Sequence, residues 1–311
     1  MPRIDRAAAL VRPDARVRAG EVGRWRGACG GDGAAPLVTI VTATMNAAAA
    51  LPHTMRSLRE QVGATFEWLV VDAGSSDTTV ELLRDSEDIA CWISEPDEGI
   101  YDAWNKACRR ARGEWVIFIG AGDELAAANV LERMAPDLSA AHPRFDLVYG
   151  RVQYVSERGR RVLEEVGEPW EGLRTRWEIG RPALPPHPGV FHHRSLLSGE
   201  RPFDTRFRIA GDSHLLLRHV LRKVPLFVPI IVDRTPVGGV SMQMASVMAL
   251  YREIREINRE LGLVPPFWHR AADQVALAGK VAINILPAPL ARVVADAYRG
   301  LAGKPRRWSV R

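Results

Sequence analysis

Cysteine is scarce: Cys29, Cys91 and Cys108 are the only three in 311 residues, and no two stand at the spacing of a metal knuckle or a redox pair. That count argues against a disulfide framework and fits a reducing compartment. No run of about 18 apolar residues occurs, the length a membrane-crossing helix needs. The nearest approach, Val275 to Leu290, is broken by Lys280, Asn284, Pro287 and Pro289, a pattern suited to lying on a membrane rather than crossing it. The N-terminal stretch is rich in Arg and Ala without a continuous apolar core, so a secretory signal is not expected. Glycine is missing from the first strand-to-helix turn, Thr44-Met45-Asn46-Ala47-Ala48, which excludes the dinucleotide fingerprint. A Gly-x-x-x-x-Gly-Lys-Ser/Thr loop is absent as well. A pyrophosphate bound by this chain must be neutralised another way, most simply by a divalent cation on oxygen ligands.

What is present suffices for a full core. The chain is 47% hydrophobic and 25% charged, which suggests one sizeable domain with additions. Its net charge of +5 sits toward the ends. Arg299, Lys304, Arg306, Arg307 and Arg311 close the chain without an acid among them, and the first 35 residues hold seven arginines against four acids. Such ends suit solubility or an anionic membrane surface. They lack the aromatic-interleaved platform of a nucleic-acid binder, so no nucleic-acid partner is expected.

Residues 1–35 show no periodicity and finish near Gly30-Gly31-Asp32-Gly33, which reads as a flexible lead-in. Leu37 to Thr42 is apolar and β-branched, as a buried parallel strand requires. Asn46 is placed to cap the next helix, with Pro52 in its first turn and Met55, Leu58 and Val62 at helical spacing. Glu67 to Val71, ending at Asp72, is a second strand, and Ile89–Ile93, Trp115–Ile119 and Leu147–Tyr149 supply three more. Strands alternating with helices predict an α/β fold with a Rossmann-like, mostly parallel sheet flanked by helices. Ligands in that architecture sit beyond the C-terminal strand ends. Thr42, Asp72, Asp97 and Asp123 each follow a strand. Later, Val247, Leu250, Ile254, Ile257 and Leu261 form an amphipathic stripe stopped by Gly262 and Pro265-Pro266.

The most informative stretch is Ser94-Glu95-Pro96-Asp97-Glu98-Gly99-Ile100-Tyr101-Asp102-Ala103-Trp104-Asn105-Lys106. It stands in order with Val38 to Asn46, with Val70-Val71-Asp72-Ala73-Gly74-Ser75-Ser76-Asp77-Thr78-Thr79, and with Phe118-Ile119-Gly120-Ala121-Gly122-Asp123-Glu124. His187 to Phe191 and Phe203-Asp204 through Ile209-Ala210-Gly211-Asp212 to Leu217-Arg218 complete the series. From Pro36 to about Ser241 the chain resembles the family 2 glycosyltransferases with the GT-A fold, and is most similar to the subgroup that assembles bacterial exopolysaccharide, capsule or lipopolysaccharide. The resemblance implies a GT-A domain over 36–245, followed by a C-terminal helical extension with a basic tail over 246–311.

It also implies an inverting, metal-dependent transfer from a nucleotide sugar, expected to be UDP-linked, to a glycan or lipid-linked acceptor. Thr42 and Asp72 would line the nucleobase pocket, with Thr44 and Asn46 in the same donor-binding set. Asp97 would contact ribose or base, and Tyr101, Asn105 and Lys106 would surround the donor. Asp123 is the expected ligand for Mg2+ or Mn2+, with His187 a further candidate and Glu124 a possible helper. Many relatives carry two aspartates around one residue here; this chain has Ala121 at the earlier position, which thins the coordination shell. Asp212 is the candidate general base, removing a proton from the acceptor hydroxyl.

Each residue has a plainer alternative. Asp72 and Asp123 suit turns, Lys106 a solvated helix face, Asp212 a helix cap, and His187 a structural histidine. Gly238 to Ser241 is either a phosphate-facing glycine turn or a plain one. Rival functions are a catalytically silent nucleotide-sugar binder and, with less support, a nucleotidyltransferase. A cytoplasmic location is expected, with Val281, Ile283, Ile285, Leu286, Leu290, Val293 and Val294 available to rest on the inner face of the plasma membrane.

Overall fold

The computed structural model describes residues 26–27, 34–156, 161–238, 246–284 and 286–301. Most of the N-terminal segment, residues 239–241 of the glycine turn and the basic tail after Leu301 lie outside the described residues. The first half contains β1 (Arg26–Gly27), β2 (Val38–Thr44), α1 (Leu51–Arg59), β3 (Phe66–Asp72), α2 (Thr79–Asp85) and β4 (Cys91–Ser94). It continues with α3 (Ile100–Cys108), β5 (Trp115–Phe118), β6 (Glu124–Leu125), α4 (Val130–Ala141) and β7 (Leu147–Val155). The second half contains β8 (Val162–Val166), α5 (Trp170–Leu173), β9 (Trp177–Glu178), β10 (Arg181–Pro182) and β11 (Val190–His193). Then come α6 (Gly211–Val220), β12 (Leu226–Pro236), α7 (Val247–Glu260), α8 (Phe267–Asn284) and α9 (Ala288–Leu301).

The expected α/β architecture is present. β4, β3, β2 and β5 lie side by side in parallel. β11 inserts antiparallel between β5 and β7, and β12 runs parallel to β7. Short edge strands β1 and β6 pair antiparallel with β4 and β12. All seven residues of β3 are buried, because helices cover both faces of a parallel block. One face packs Leu51, Leu58, Trp68, Trp115 and Met134; the other packs Val41, Tyr101, Trp104, Phe118 and Phe203. A further cluster joins Leu216, Leu217 and Val220 of α6 to Ile254 and Ile257 of α7, so α7 shares the core that holds α6.

The N-terminal edge of the parallel block is sealed. Glu67, 3% exposed, accepts hydrogen bonds from Thr39 Oγ1 at 2.7 Å and Arg112 N at 2.6 Å, and pairs with Arg112 Nε at 3.2 Å. Gly113 packs so closely that a Cβ there would lie 2.4 Å from Thr39 N. The C-terminal edge is therefore the one left for a ligand.

Two expectations need correction. Asn46 does not cap α1, whose N-cap is Ala50; it takes φ +50° and bridges two turns, its Oδ1 accepting from Ser76 N at 2.9 Å. Cys91 is disulfide-bonded, whereas Cys108 is a free thiol pushed up to about 12 by burial. Sequence spacing reports only local pairs, so it missed that bond. Among the described residues no helix is long and apolar enough to cross a membrane.

Candidate active site

Register alone gathers several of the polar residues. Thr44 stands opposite Asp72, and Asp72 opposite Ser94, at the C-terminal ends of β2, β3 and β4. The Asp72 carboxylate is fully buried and accepts from Thr44 Oγ1 (2.9 Å), Ser75 Oγ (2.5 Å), Ser94 Oγ (2.7 Å), Gly74 N (3.1 Å) and Ser75 N (2.9 Å). Five donors saturate it and fix the turn after β3, which is the plainer of its two readings. Ser75 and Ser94 are the partners that spacing did not single out.

Two donor-site assignments do not match the geometry. Thr42 is fully buried, and its hydroxyl accepts the Trp68 indole N–H at 3.0 Å, so it braces the core. Two residues of strand rotate a side chain back to the same face, and the exposed end of β2 lies beyond Thr42. Asn105 is 1% exposed; its amide donates to Phe203 O at 2.8 Å and accepts from Phe203 N at 2.9 Å. It clamps α3 to the segment leading into α6.

That clamp serves Asp212. Tyr101, on α3 and buried, donates to Ile209 O at 2.7 Å and lies 3.2 Å from Asp212 Oδ1. A phenol has one proton, and the shorter contact takes it; Asp212 Oδ1 accepts from Ser213 N at 2.7 Å, and among the described residues no donor is seated on Oδ2. Gly211 permits this approach, since a Cβ there would lie 2.8 Å from the Tyr101 ring. Burial, and then the Asp212 charge, push the Tyr101 hydroxyl well above its ordinary range. Asp212 itself occupies the first turn of α6, where the helix's positive end faces it.

Arg181 and His187 lie within the field of Asp212. Burial lowers the pKa of each, and the Asp212 charge opposes that shift. Both carry a buried nitrogen without a partner among the described residues, Arg181 Nε and His187 Nε2. His187 stacks on Trp104 (centroids 5.1 Å apart) and on Phe118 (5.8 Å). A carboxylate, a guanidinium and an imidazole thus surround an aromatic floor. Arg181 was not anticipated: it sits in a two-strand hairpin whose only signal was the Gly180 turn.

The opposite wall is the 95–99 loop. Asp97 Oδ1 accepts from Gly99 N at 2.8 Å, and Lys106 pairs with Glu95 at 2.8 Å and Asp102 at 3.2 Å. Arg208 donates to Glu98 O, closing the loop against the segment before α6. From α7, Glu253 accepts from Arg208 N at 2.8 Å, Ile209 N at 2.9 Å and Ala210 N at 2.8 Å. This single side chain pins the residues that lead into Asp212. Nothing in its spacing set it apart from the other glutamates of α7, Glu256 and Glu260.

Asp123 follows β5 and is 6% exposed; Gly120 N donates to its Oδ2 at 2.6 Å. Thr54 of α1 holds the same turn, accepting from Gly122 N at 2.9 Å and donating to Asp123 O at 2.7 Å. Glu124 is turned to Arg56 (3.0 Å) and His53 (3.2 Å) instead. One buried, pre-oriented carboxylate fits Mg2+ or Mn2+, hard cations that take their remaining oxygens from substrate phosphates and water. His187 belongs with Trp104, on which it stacks, and with Asp212, whose charge it feels. Among the described residues the three-ligand grouping is elsewhere: His142, Asp146 and His193, beyond the N-terminal end of β5. There Lys223 already holds Asp146 at 2.7 Å.

A sheet of this topology with an acidic site on its C-terminal edge belongs to the α/β class that takes ligands beyond its strand ends. The model of glycosyl transferase family 2 matches residues 39–190. A PGL/p-HBAD biosynthesis glycosyltransferase of Mycobacterium bovis is 30% identical over 186 residues, covering 58% of this chain and 68% of that protein. Among solved structures, the mannosyltransferase PcManGT of Pyrobaculum calidifontis, in complex with GDP-Man and Mn2+, superposes with a TM-score of 0.56 at 19% identity, over 88% of this chain and 83% of that one. Staphylococcus aureus TarS 1-349, in complex with UDP-GlcNAc, gives 0.50 at 16% identity over 78% and 72%. The chain belongs to glycosyl transferase family 2, with the GT-A fold, and is a glycosyltransferase.

Proposed function

We propose that the chain transfers a sugar, with inversion, from a UDP-linked donor to a glycan or lipid-linked acceptor of the cell surface. The observation that carries this reading is the Asp212 carboxylate, set at the head of α6 against Tyr101 with Arg181 and His187 in its field. The acceptor hydroxyl gives its proton to Asp212 while its oxygen attacks the anomeric carbon. The bond from that carbon to the diphosphate breaks on the opposite face, releasing a nucleoside diphosphate. Trp104, stacked with His187, offers an apolar surface to a sugar ring. Asp97 and the turn that Asp72 fixes after β3 form the donor's nucleoside wall. Asp123 would hold Mg2+ or Mn2+, which supplies Lewis-acid stabilisation of the departing diphosphate.

Peripheral contact with the cytoplasmic leaflet is part of the proposal. Its support is a line of exposed apolar side chains on α8 and α9: Phe267, Trp268, Val275, Leu290 and Val293. The test is a thermal-shift screen of UDP, GDP and their sugars with and without Mg2+, followed by a transfer assay. A donor present at about a thousandfold over its dissociation constant stabilises by about 4 kcal/mol. No shift with any nucleotide sugar would sink the reading.

A further inference from the structure

A cavity of about 490 Å3 opens between the β9–β10 hairpin and helices α7 and α8. Arg255 and Arg259, one helical turn apart on α7, and Arg270 of α8 all line it, with Asp273 the acidic member. None of the three arginines has an ion-pair partner among the described residues. The three guanidinium groups are exposed and face one carboxylate, Asp273, so the wall keeps a net positive charge that suits an anion. Asn258 lies at the cavity wall, 7% exposed. Its Nδ2 donates to Gly180 O at 2.7 Å, while its Oδ1 is buried and unpartnered among the described residues. That oxygen can only accept, so it calls for a hydroxyl or an N–H on the ligand. Val264, itself part of the lining, and Trp268 nearby are 71% and 79% exposed.

We propose that this cavity is a second ligand site, for an anionic headgroup that bears hydroxyls: a phosphate ester of a polyol or sugar. The three arginines take the phosphate and Asn258 takes a hydroxyl. The volume is in the range of small-ligand pockets. The site is distinct from the donor edge, and the hairpin separates it from Asp212. A Cβ on Gly180 would lie 3.8 Å from Ile254 of α7, whereas the next residue, Arg181, feels the Asp212 charge. Such a phosphate ester exists both as a lipid headgroup and as a free metabolite.

The experiment separates those sources with the full chain. Flotation with phosphatidylcholine vesicles, with and without phosphatidylinositol, reads the lipid arm; calorimetric titration with inositol phosphate reads the soluble arm. Binding in either arm, weakened about tenfold or more by R255Q/R259Q together, supports the site. R252Q, which removes an exposed arginine of the same helix outside the cavity lining, should leave binding unchanged. Vesicle binding alone assigns a lipid source, and titration alone a soluble one. Binding in neither arm, or an equal loss in R252Q, overturns the proposal. A nucleotide-sugar thermal shift recorded on the same variants reads the donor site separately, so failure of one site is not mistaken for failure of the other.

Discussion

Asp212 and Asn105, from two of the motifs, illustrate how motif residues divide between proposed chemistry and support. Asp212 Oδ1 accepts from Ser213 N, while Tyr101 spends its proton on Ile209 O and leaves Oδ2 without a donor among the described residues. Replacing the carboxylate by an amide removes the proton acceptor and leaves the shape. Asp212→Asn should therefore lower kcat by about 10²–10⁴-fold, with the donor-induced thermal shift retained; a variant that still turns over at the native rate excludes Asp212 as the base. Asn105 behaves differently. It satisfies both backbone groups of Phe203 from a buried position, so Asn105→Ala strands a buried donor and acceptor. Chemical denaturation should show a loss of about 1–3 kcal/mol, and an unchanged midpoint would contradict the clamp. Asp123→Asn should abolish any Mg2+-dependent part of the nucleotide shift while leaving the metal-free part, which the same thermal assay measures.

Among the elements, α7 links the late core to the site. Its apolar stripe buries Ile254 and Ile257 against α6, and its Glu253 accepts three backbone N–H groups ahead of Asp212. Glu253→Ala frees that segment without touching the donor edge. We expect kcat to fall by about 10–100-fold with the donor KM little changed, and Glu253→Gln, which keeps an acceptor oxygen, to recover part of the loss. A parallel rise in KM would assign Glu253 to general folding instead. The parallel strands β2 to β5 were legible in the sequence because each is a largely apolar run, and β2, β3 and β4 end at a polar residue. β11 was not: Val190 to His193 is four residues long and ends in two histidines, and its place between β5 and β7 is a long-range pairing. The trans contact of Glu253 spans 43 to 45 residues, and no local pattern encodes it. Asp72 and Asp212 were picked out by their motifs, yet the saturation of Asp72 emerged only from three strand ends meeting.

Across the whole molecule, the histidines tie stability to pH. Burial holds His187, His192, His193, His214 and His219 below their ordinary value of 6.5, with His219 lowered to about 4. His192 lies deepest, fully buried within the sheet. In the unfolded chain these rings take up protons as pH falls through about 6.5. The folded chain resists protonation until lower pH, so the unfolded state binds more protons in between. Stability is then fully present above about 6.5 and declines as pH falls toward the folded values. The carboxylates with lowered pKa, Asp77, Asp146 and Asp204, act in a more acidic window, below their ordinary 3.8. Thermal unfolding followed by circular dichroism should therefore show Tm steady from about pH 8 to 7 and falling between about pH 6.5 and 4.5. A His192→Asn variant that folds should flatten part of that slope, whereas a Tm independent of pH across this interval would show that the buried imidazoles ionise in place without penalty.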